Sequence, residues 1–308
     1  MERGRVVKST GSWYIVERSN GELIECRVRG KFRQRNIKST NPVAVGDWVH
    51  FLGEKDEHVI YEIEDRKNYI VRKSVNLSKQ SHIIASNLDQ AVLVATLKNP
   101  VTFPTFIDRF CVAAEAYHIP VVIVFNKIDL FDSDEREMLE AFRSVYTDLG
   151  YQTAVCSAET GEGLDDLIAI LKDKVSLLSG HSGVGKSTLI NAIDPNLQIR
   201  TGAISEAHFT GQHTTTFAEM HKIVFGGYIV DTPGIRGFGL VDIDREELAG
   251  YFPEMRELLP DCKFYNCIHI KEPGCAVKAG IETGKVAETR YKSYLNMFEE
   301  NEEEQYRK

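Results

Sequence analysis

Residues 175–193 read VSLLSGHSGVGKSTLINAI, and they set the architecture of the centre of the chain. An apolar segment leads into a glycine-rich turn and then into a helical segment, which is the strand–GxxxxGK(S/T)–helix pattern of a phosphate-binding loop. Backbone amides and the helix N-terminus favour an anion, Lys186 reaches the β and γ phosphates, and Ser187 offers a hydroxyl to Mg²⁺. The loop's candidate nucleotide-binding residues are Gly180, His181, Ser182, Gly183, Val184, Gly185, Lys186, Ser187 and Thr188, and Lys186 is also a candidate catalytic residue.

The sequence around this loop alternates between two patterns. Compact apolar segments occupy residues 90–97, 121–125, 153–156, 175–178 and 228–230. Helical patterns separate them at residues 106–117, 135–149 and 164–171. Such alternation predicts an α/β domain with a parallel sheet covered by helices on both faces.

Two short motifs follow apolar segments and point to guanine. Asn126-Lys127-Ile-Asp129 comes directly after residues 121–125, and Ser157-Ala158 follows residues 153–156. A carboxylate at Asp129 would accept from guanine N1–H and the 2-amino group, while adenine offers neither donor there. Asn126 can tie loops together, Lys127 can cover the ring, and the backbone after Ser157 can donate to guanine O6. Both motifs would lie at strand carboxyl ends, so together they predict a guanine nucleotide.

Residues for Mg²⁺ and hydrolysis lie further along the chain. Asp231-Thr-Pro-Gly234 ends the last apolar segment, so Asp231 could hold Mg²⁺ through water and Gly234 could sense the γ-phosphate. In the polar stretch before it we favour Thr215 over its neighbour Thr214 as a further Mg²⁺ ligand. Ile235 stands where Ras-like enzymes place a water-orienting glutamine. Another group must position water; His213 is the candidate, and a plain exposed loop histidine is the alternative.

The first 70 residues have a different character. Short segments rich in Val, Ile, Tyr and Trp occupy residues 5–8, 12–18, 22–28, 47–52 and 58–64. Ser19-Asn20-Gly21 predicts a tight hairpin. Five strands in this length predict a small barrel of the oligonucleotide/oligosaccharide-binding type.

Charge is distributed unevenly along the chain. Residues 1–72 carry 14 Lys/Arg and 11 Asp/Glu, a net of +3, while the remainder carries 23 − 34 = −11. A basic run without an acidic residue consists of Arg27, Arg29, Lys31, Arg33, Arg35 and Lys38. The run favours RNA binding by the barrel, and a solvated loop or a plain docking module is the alternative.

Four metal-ligating residues cluster near the C-terminal end. Cys262, Cys267, His269 and Cys275 fall within 14 positions (262 to 275). Three thiolates and one imidazole make a closed structural zinc shell, although this spacing is not that of a common finger. Buried thiols beside an unrelated histidine are the alternative. The other cysteines, Cys26, Cys111 and Cys156, lie in strand or helix patterns and are predicted core residues.

Global composition excludes several classes. The formal charge is 37 − 45 = −8, which argues against a surface devoted entirely to nucleic acid. Apolar runs such as residues 121–125 are too short to cross a bilayer, and the first residues show no secretory pattern. We therefore expect a cytoplasmic protein without a membrane partner, and a monomer.

The order of the guanine-nucleotide motifs is unusual, since residues 126–129 and 157–158 precede the phosphate loop instead of following residues 231–234. With the barrel and the Cys/His cluster, the chain resembles the bacterial small-ribosomal-subunit-dependent, circularly permuted GTPases of the RsgA family. The resemblance covers essentially the whole length and includes the Cys-Cys-His-Cys spacing. It implies a factor in late small-subunit maturation that binds ribosomal RNA and hydrolyses GTP faster on the ribosome.

These observations predict three domains: an RNA-binding barrel over residues 1–70, a permuted GTPase domain over 71–240, and a helical zinc domain over 241–308. The expected reaction is GTP + H₂O → GDP + phosphate, with Mg²⁺ and with one structural Zn²⁺ elsewhere. Two alternatives stay open. One is a nucleotide-gated binding module whose hydrolysis is negligible without its partner; the other is a permuted GTPase of the large subunit or of another RNA.

Overall fold

The computed structural model describes residues 1–11, 13–28, 42–54, 57–73, 81–197, 218–231 and 243–306. Several predicted residues lie outside these ranges: Arg29, Lys31, Arg33, Arg35, Lys38, His213, Thr214, Thr215, Gly234 and Ile235.

Five strands form the N-terminal module: β1 (Glu2–Ser9), β2 (Tyr14–Arg18), β3 (Leu23–Val28), β4 (Trp48–Glu54) and β5 (Glu57–Ile63). Their pairing order is β1-β2-β3-β5-β4, and β4 also pairs with β1, which closes a barrel. Inward-facing apolar side chains such as Val6, Val16 and Phe51 fill the interior. The predicted hairpin joins β2 to β3, where the Gly21 amide donates to the Arg18 carbonyl at 2.9 Å. The five-stranded barrel is confirmed.

An antiparallel strand pair that the sequence pattern did not predict follows the barrel. It consists of β6 (Tyr69–Lys73) and β7 (Ser81–Ser86). The buried Asp47 carboxylate accepts two bonds of 2.6 Å from the Arg66 guanidinium and one of 2.6 Å from the Ser86 hydroxyl. The Ser86 hydrogen bond therefore ties the barrel to β7, and the buried ion pair ties it to the segment just before β6.

The central module is a sheet with helices on both faces, as predicted. Its strands are β8 (Gln90–Ala95), β9 (Val121–Phe125), β10 (Gln152–Val155), β11 (Val175–Ser179), β12 (Glu219–Lys222) and β13 (Tyr228–Asp231). The order is β10-β9-β8-β11-β13-β12, in which β12 alone is antiparallel to its neighbour.

Two apolar layers enclose this sheet. Its helices are α1 (Pro104–Ala116), α2 (Ser133–Thr147), α3 (Leu164–Leu171) and α4 (Lys186–Ile193). Successive residues of β8 point to opposite faces, as strand geometry requires. Leu93 therefore packs with α1 and α2, whereas Val94 packs with α3 and α4. Burial on both faces explains why the strand sequences are continuously apolar.

Strand β12 joins the central sheet to the barrel. Lys8 of β1 pairs in register with Glu219 of β12, and their side chains form an ion pair of 3.1 Å. The pattern of apolar residues did not predict β12, because the four residues Glu-Met-His-Lys carry only one apolar side chain. The barrel and the central sheet are consequently one hydrogen-bonded system.

The C-terminal module is helical, as predicted. It contains a 3₁₀ turn (Leu248–Tyr251) and the helices α5 (Pro253–Leu258), α6 (Ala276–Glu282) and α7 (Glu288–Tyr306). Helix α7 packs along α1 through Tyr294, Met297 and Phe298. No helix in the described part of the chain is long and apolar enough to cross a membrane.

Candidate nucleotide site and metal centre

The phosphate loop connects β11 to α4, in the context that its sequence predicts. Gly180 has φ +144°, and a Cβ there would lie 2.4 Å from the Val94 carbonyl oxygen. Gly185 has φ +92°, and a Cβ there would lie 2.6 Å from the Asn126 amide nitrogen. Real side chains do not tolerate such contacts, so the glycines are required for loop geometry and for the approach of Asn126.

Lys186 begins α4 and folds back over the loop. Its ammonium donates to the carbonyl oxygens of Gly180 and His181, at 2.7 Å each. Burial lowers the pKa of Lys186, and the negative charge of Asp231 opposes that shift. The hydroxyl-bearing Ser187 follows in the first turn and is buried. The loop therefore holds a cation and a helix N-terminus at the point where phosphates are expected.

Asn126 links three chain segments. Its amide nitrogen donates to the Val184 carbonyl of the phosphate loop at 2.9 Å, and its amide oxygen accepts from the Ala158 backbone at 3.1 Å. Only 2% of Asn126 is exposed. The ends of β9 and β10 are thus tied to the phosphate loop, although residues 126 and 184 are 58 positions apart.

Lys127 and Asp129 flank the same opening. The Lys127 ammonium donates to the Gly183 carbonyl at 2.7 Å and to the Asn99 carbonyl at 2.5 Å. The Asp129 carboxylate accepts from the Ser157 hydroxyl at 2.5 Å and is exposed. The structure therefore brings the predicted guanine residues together beside the phosphate loop.

Two neighbours of the site were not predicted. Asn99 belongs to the loop after β8, where Asn-Pro marks a turn at a strand's carboxyl end and could have drawn attention. The ring of Phe106 of α1 contacts that of His181 in a tilted arrangement, with centroids 3.6 Å apart and planes 32° apart. Burial, and then the charge of Lys186, lower the pKa of His181, which favours the neutral imidazole.

Asp231 ends β13 in register with Leu178 of β11, one residue before the end of that strand. The phosphate loop starts at the same edge, so Asp231 and Ser187 belong to neighbouring segments at that edge. These are the two predicted Mg²⁺ ligands that the structure describes. His213, Thr215 and Gly234 lie outside the described residues, so the structure does not place them.

The predicted metal ligands converge in the C-terminal module. One ligand atom from each of Cys262, Cys267, His269 and Cys275 lies within 4.8 Å of the others. His269 Nδ1 is 3.3 Å from Cys275 Sγ and 3.7 Å from Cys262 Sγ, so this nitrogen faces the sulfurs. Cys275 Sγ also accepts from the Lys278 backbone at 3.5 Å. Burial raises the pKa of Cys267 to about 12, and a bound cation would favour its thiolate.

Two tyrosines of α7 attach the metal cluster to the helical module. The Tyr291 hydroxyl donates to the His269 carbonyl at 2.7 Å, and the Tyr294 hydroxyl donates to the Ile268 carbonyl at 2.6 Å. The remaining cysteines, Cys26, Cys111 and Cys156, are buried and free, as predicted. A Cys₃His donor set of this kind fits Zn²⁺.

Comparison with known proteins gives the family. The pattern of the RsgA GTPase family matches residues 63–241, and that of the RsgA N-terminal domain matches residues 3–60. The chain belongs to the RsgA GTPase family. Small ribosomal subunit biogenesis GTPase RsgA of Bacteroides fragilis strain YCH46 is 54% identical over 306 residues, 99% of each chain. The protein of the same name from Porphyromonas gingivalis is 49% identical over 310 residues, 99% of this chain and 98% of its own.

Solved structures agree with the RsgA assignment. YjeQ from Thermotoga maritima superimposes with a TM-score of 0.81 at 39% identity, covering 97% of this chain and 98% of its own. YloQ, described as a circularly permuted GTPase, superimposes with a TM-score of 0.76 at 33% identity, covering 99% and 96%. The chain is accordingly a GTP-hydrolysing enzyme of the RsgA family with circularly permuted motifs.

Proposed function

We propose that this RsgA family member hydrolyses GTP to GDP and phosphate with Mg²⁺, in the cytoplasm and late in maturation of the small ribosomal subunit. The observation that carries the GTPase part of this proposal is the position of Asn126, which holds the base-recognition segments against the phosphate loop. A parallel sheet needs only that strand ends meet, so permuted chain order leaves such a site intact.

Within this site the base and the phosphates have separate partners. Asp129 recognises guanine by accepting from N1–H and the 2-amino group, and the backbone at Ala158 donates to O6. Lys127 covers the ring. Lys186 exchanges its two loop carbonyls for β- and γ-phosphate oxygens, which removes the cost of partly burying an ammonium.

Mg²⁺ would be held by Ser187, Asp231 and Thr215, and it would neutralise charge developing on the phosphates. Gly234 senses the γ-phosphate. Because Ile235 cannot polarise water, His213 or a group on the ribosome positions the attacking water. We therefore propose slow turnover in the free protein and stimulation by the small subunit.

The metal cluster would hold one structural Zn²⁺ through Cys262, Cys267, His269 and Cys275. The four donors fill a tetrahedral shell, which leaves no open position for a catalytic water. For the domain boundaries we propose that the zinc module begins near residue 241 and that the N-terminal domain, whose last barrel strand ends at Ile63, extends to about residue 70.

The proposed partner is the small ribosomal subunit with its RNA, bound by a monomer. The printed names of the curated relatives and the net positive charge of residues 1–72 support this partner. Co-sedimentation with purified small and large subunits, in GDP and in a non-hydrolysable GTP analogue, tests it. Binding to the large subunit alone would reassign the protein to another maturation pathway.

Base recognition is tested with Asp129→Asn. We expect GTP affinity to fall by about 1.5–3 kcal/mol, the usual worth of a hydrogen bond to a charged group, and xanthosine triphosphate to bind better than GTP. The amide would present a donor where guanine also donates. Asp134→Asn, an exposed change in the first turn of α2, is the matched control. Unchanged GTP affinity in Asp129→Asn would remove Asp129 from the base pocket.

A further inference from the structure

A cleft of about 560 Å³ lies between the barrel and the β12–β13 edge of the central sheet, away from the nucleotide site. Its charged lining residues are Arg3, Arg5, Arg18, Lys222, Glu2 and Glu17. Four cations and two carboxylates thus line the cleft, in a chain whose net charge is −8.

Three of these cations already have carboxylate partners. Arg3 donates to Glu64 at 2.6 Å and 2.9 Å, and Lys222 lies 3.1 Å from Glu17. Arg18 pairs with Glu2 at 3.0 Å and with Glu22 at 2.7 Å. Their charges are largely balanced within the protein.

Arg5 differs from the other three. Among the residues that the structure describes, no carboxylate forms an ion pair with it, and its Nε has no hydrogen-bond partner. The nearby Glu17 carboxylate is occupied by Lys222 and by the Tyr228 hydroxyl, which donates at 2.6 Å. The guanidinium instead lies over two aromatic rings, 4.8 Å from the Trp48 centroid and 5.4 Å from that of Tyr228.

This arrangement leaves the Arg5 guanidinium able to bind an anion. Burial lowers the pKa of Arg5, yet an arginine keeps its proton at neutral pH. A partly desolvated guanidinium without an anion is costly, and its planar donors suit two oxygens of one phosphate. The aromatic faces hold it in place without consuming its N–H groups.

We propose that this cleft binds the phosphate of a nucleotide unit, with Arg5 as the anchoring residue. The phosphate belongs either to an RNA strand or to a free mononucleotide. If the ligand is an RNA strand, the inference rests on the proposed function, because that strand would be ribosomal RNA. A ligand here would touch both the barrel and β13, the strand that ends at Asp231.

The test measures binding of fluorescein-labelled octauridylate by anisotropy over a salt series. For Arg5→Gln we expect about tenfold weaker binding, the loss of one charge-assisted contact. The slope of log K against log salt should become shallower by about 0.7, the value for one phosphate of a single strand. Arg143→Gln removes the same charge from α2, where Arg143 pairs with Glu140, and should match wild type in affinity and slope.

Two further arms complete the design. Arg5→Lys keeps the charge but not the planar fork, so it should restore the salt slope with weaker binding, and GTP affinity reports the fold of every variant. If uridine monophosphate displaces the probe, the ligand of the cleft is a free mononucleotide. If it does not, the ligand is an RNA strand.

Equal affinity and slope in Arg5→Gln and Arg143→Gln would overturn the inference, as would the absence of wild-type binding to either probe. If wild-type protein still co-sediments with small subunits in that case, the proposed function stands and only the cleft assignment fails.

Discussion

Arg290→Met would remove the buried arginine that joins the GTPase module to the zinc module. Arg290 of α7 is fully buried. Its Nη1 donates to Asp108 of α1 at 2.8 Å, and its Nε and Nη2 donate to the two carboxylate oxygens of Glu254 on α5, at 2.8 Å and 3.1 Å. Methionine preserves much of the aliphatic volume and removes all three hydrogen bonds.

The expected loss is about 3–5 kcal/mol of unfolding free energy at pH 7, because one charge is removed from a buried pair and the carboxylates are left uncompensated. The side chains of Asp108 and Glu254 are 0% and 3% exposed, so water cannot replace the arginine. The control, Arg256→Gln, breaks an ion pair with Glu115 whose arginine is 53% exposed. A pair of that kind contributes about 0–1 kcal/mol.

The loss should depend on pH in a defined direction. Burial raises the pKa of Asp108, and the Arg290 charge opposes that rise. Without Arg290 the folded-state pKa rises further above the unfolded value, so the folded variant binds more protons than the unfolded chain between the two values. Stability of the variant then increases as pH falls. Its deficit relative to wild type should be larger at pH 7 than at pH 5.

Urea unfolding, followed by circular dichroism and by release of zinc to a chromogenic chelator, measures the loss for both variants at both pH values. GTP affinity in the absence of urea checks that the nucleotide site is intact. The reasoning is refuted if Arg290→Met costs no more than Arg256→Gln at pH 7, or if its deficit grows on acidification.

Three further predictions concern chemistry and metal. Ser187→Ala should lower GTP turnover at least about a hundredfold at saturating Mg²⁺, because the Mg²⁺ on the phosphates loses a ligand. Phosphate release measures the turnover, with Ser144→Ala on the surface of α2 as the control, and wild-type turnover in Ser187→Ala would contradict the assignment. Metal analysis should find one zinc per chain, and chelation should loosen the C-terminal module while GTP still binds; a zinc-free preparation of equal stability would exclude the site. His213→Ala should slow subunit-stimulated single turnover by about a hundredfold or more with little change in GTP affinity, whereas the control His221→Ala on β12 should leave the rate unchanged. An unchanged rate in His213→Ala would mean that the ribosome or backbone groups position the attacking water.

Much of the nucleotide site could be predicted because its motifs are local. The turn after β11 needs glycine at Gly180 and Gly185, and the helix start needs Lys186 and Ser187 in a fixed order, so all of these occur in one short segment. The base-recognition motifs are local as well, because each one follows directly after an apolar strand. Parallel strands bring their carboxyl ends to one edge of the sheet. Motifs that follow different strands are therefore predicted to belong to one site.

Contacts between distant segments were decided only by the tertiary structure. Nothing local marks Arg290 as the partner of Asp108, 182 positions away, or shows that β12 pairs with β1 of the barrel. An arginine in a helix pattern looks solvent-exposed until a neighbouring helix brings a carboxylate to it. The same holds for Arg5: that no carboxylate of the described residues forms an ion pair with it appears only when the side chains around the cleft are placed. Residue type and spacing therefore determined the chemistry of each motif, whereas packing between modules determined which charges are paired, because pairing depends on distances that the chain order does not contain.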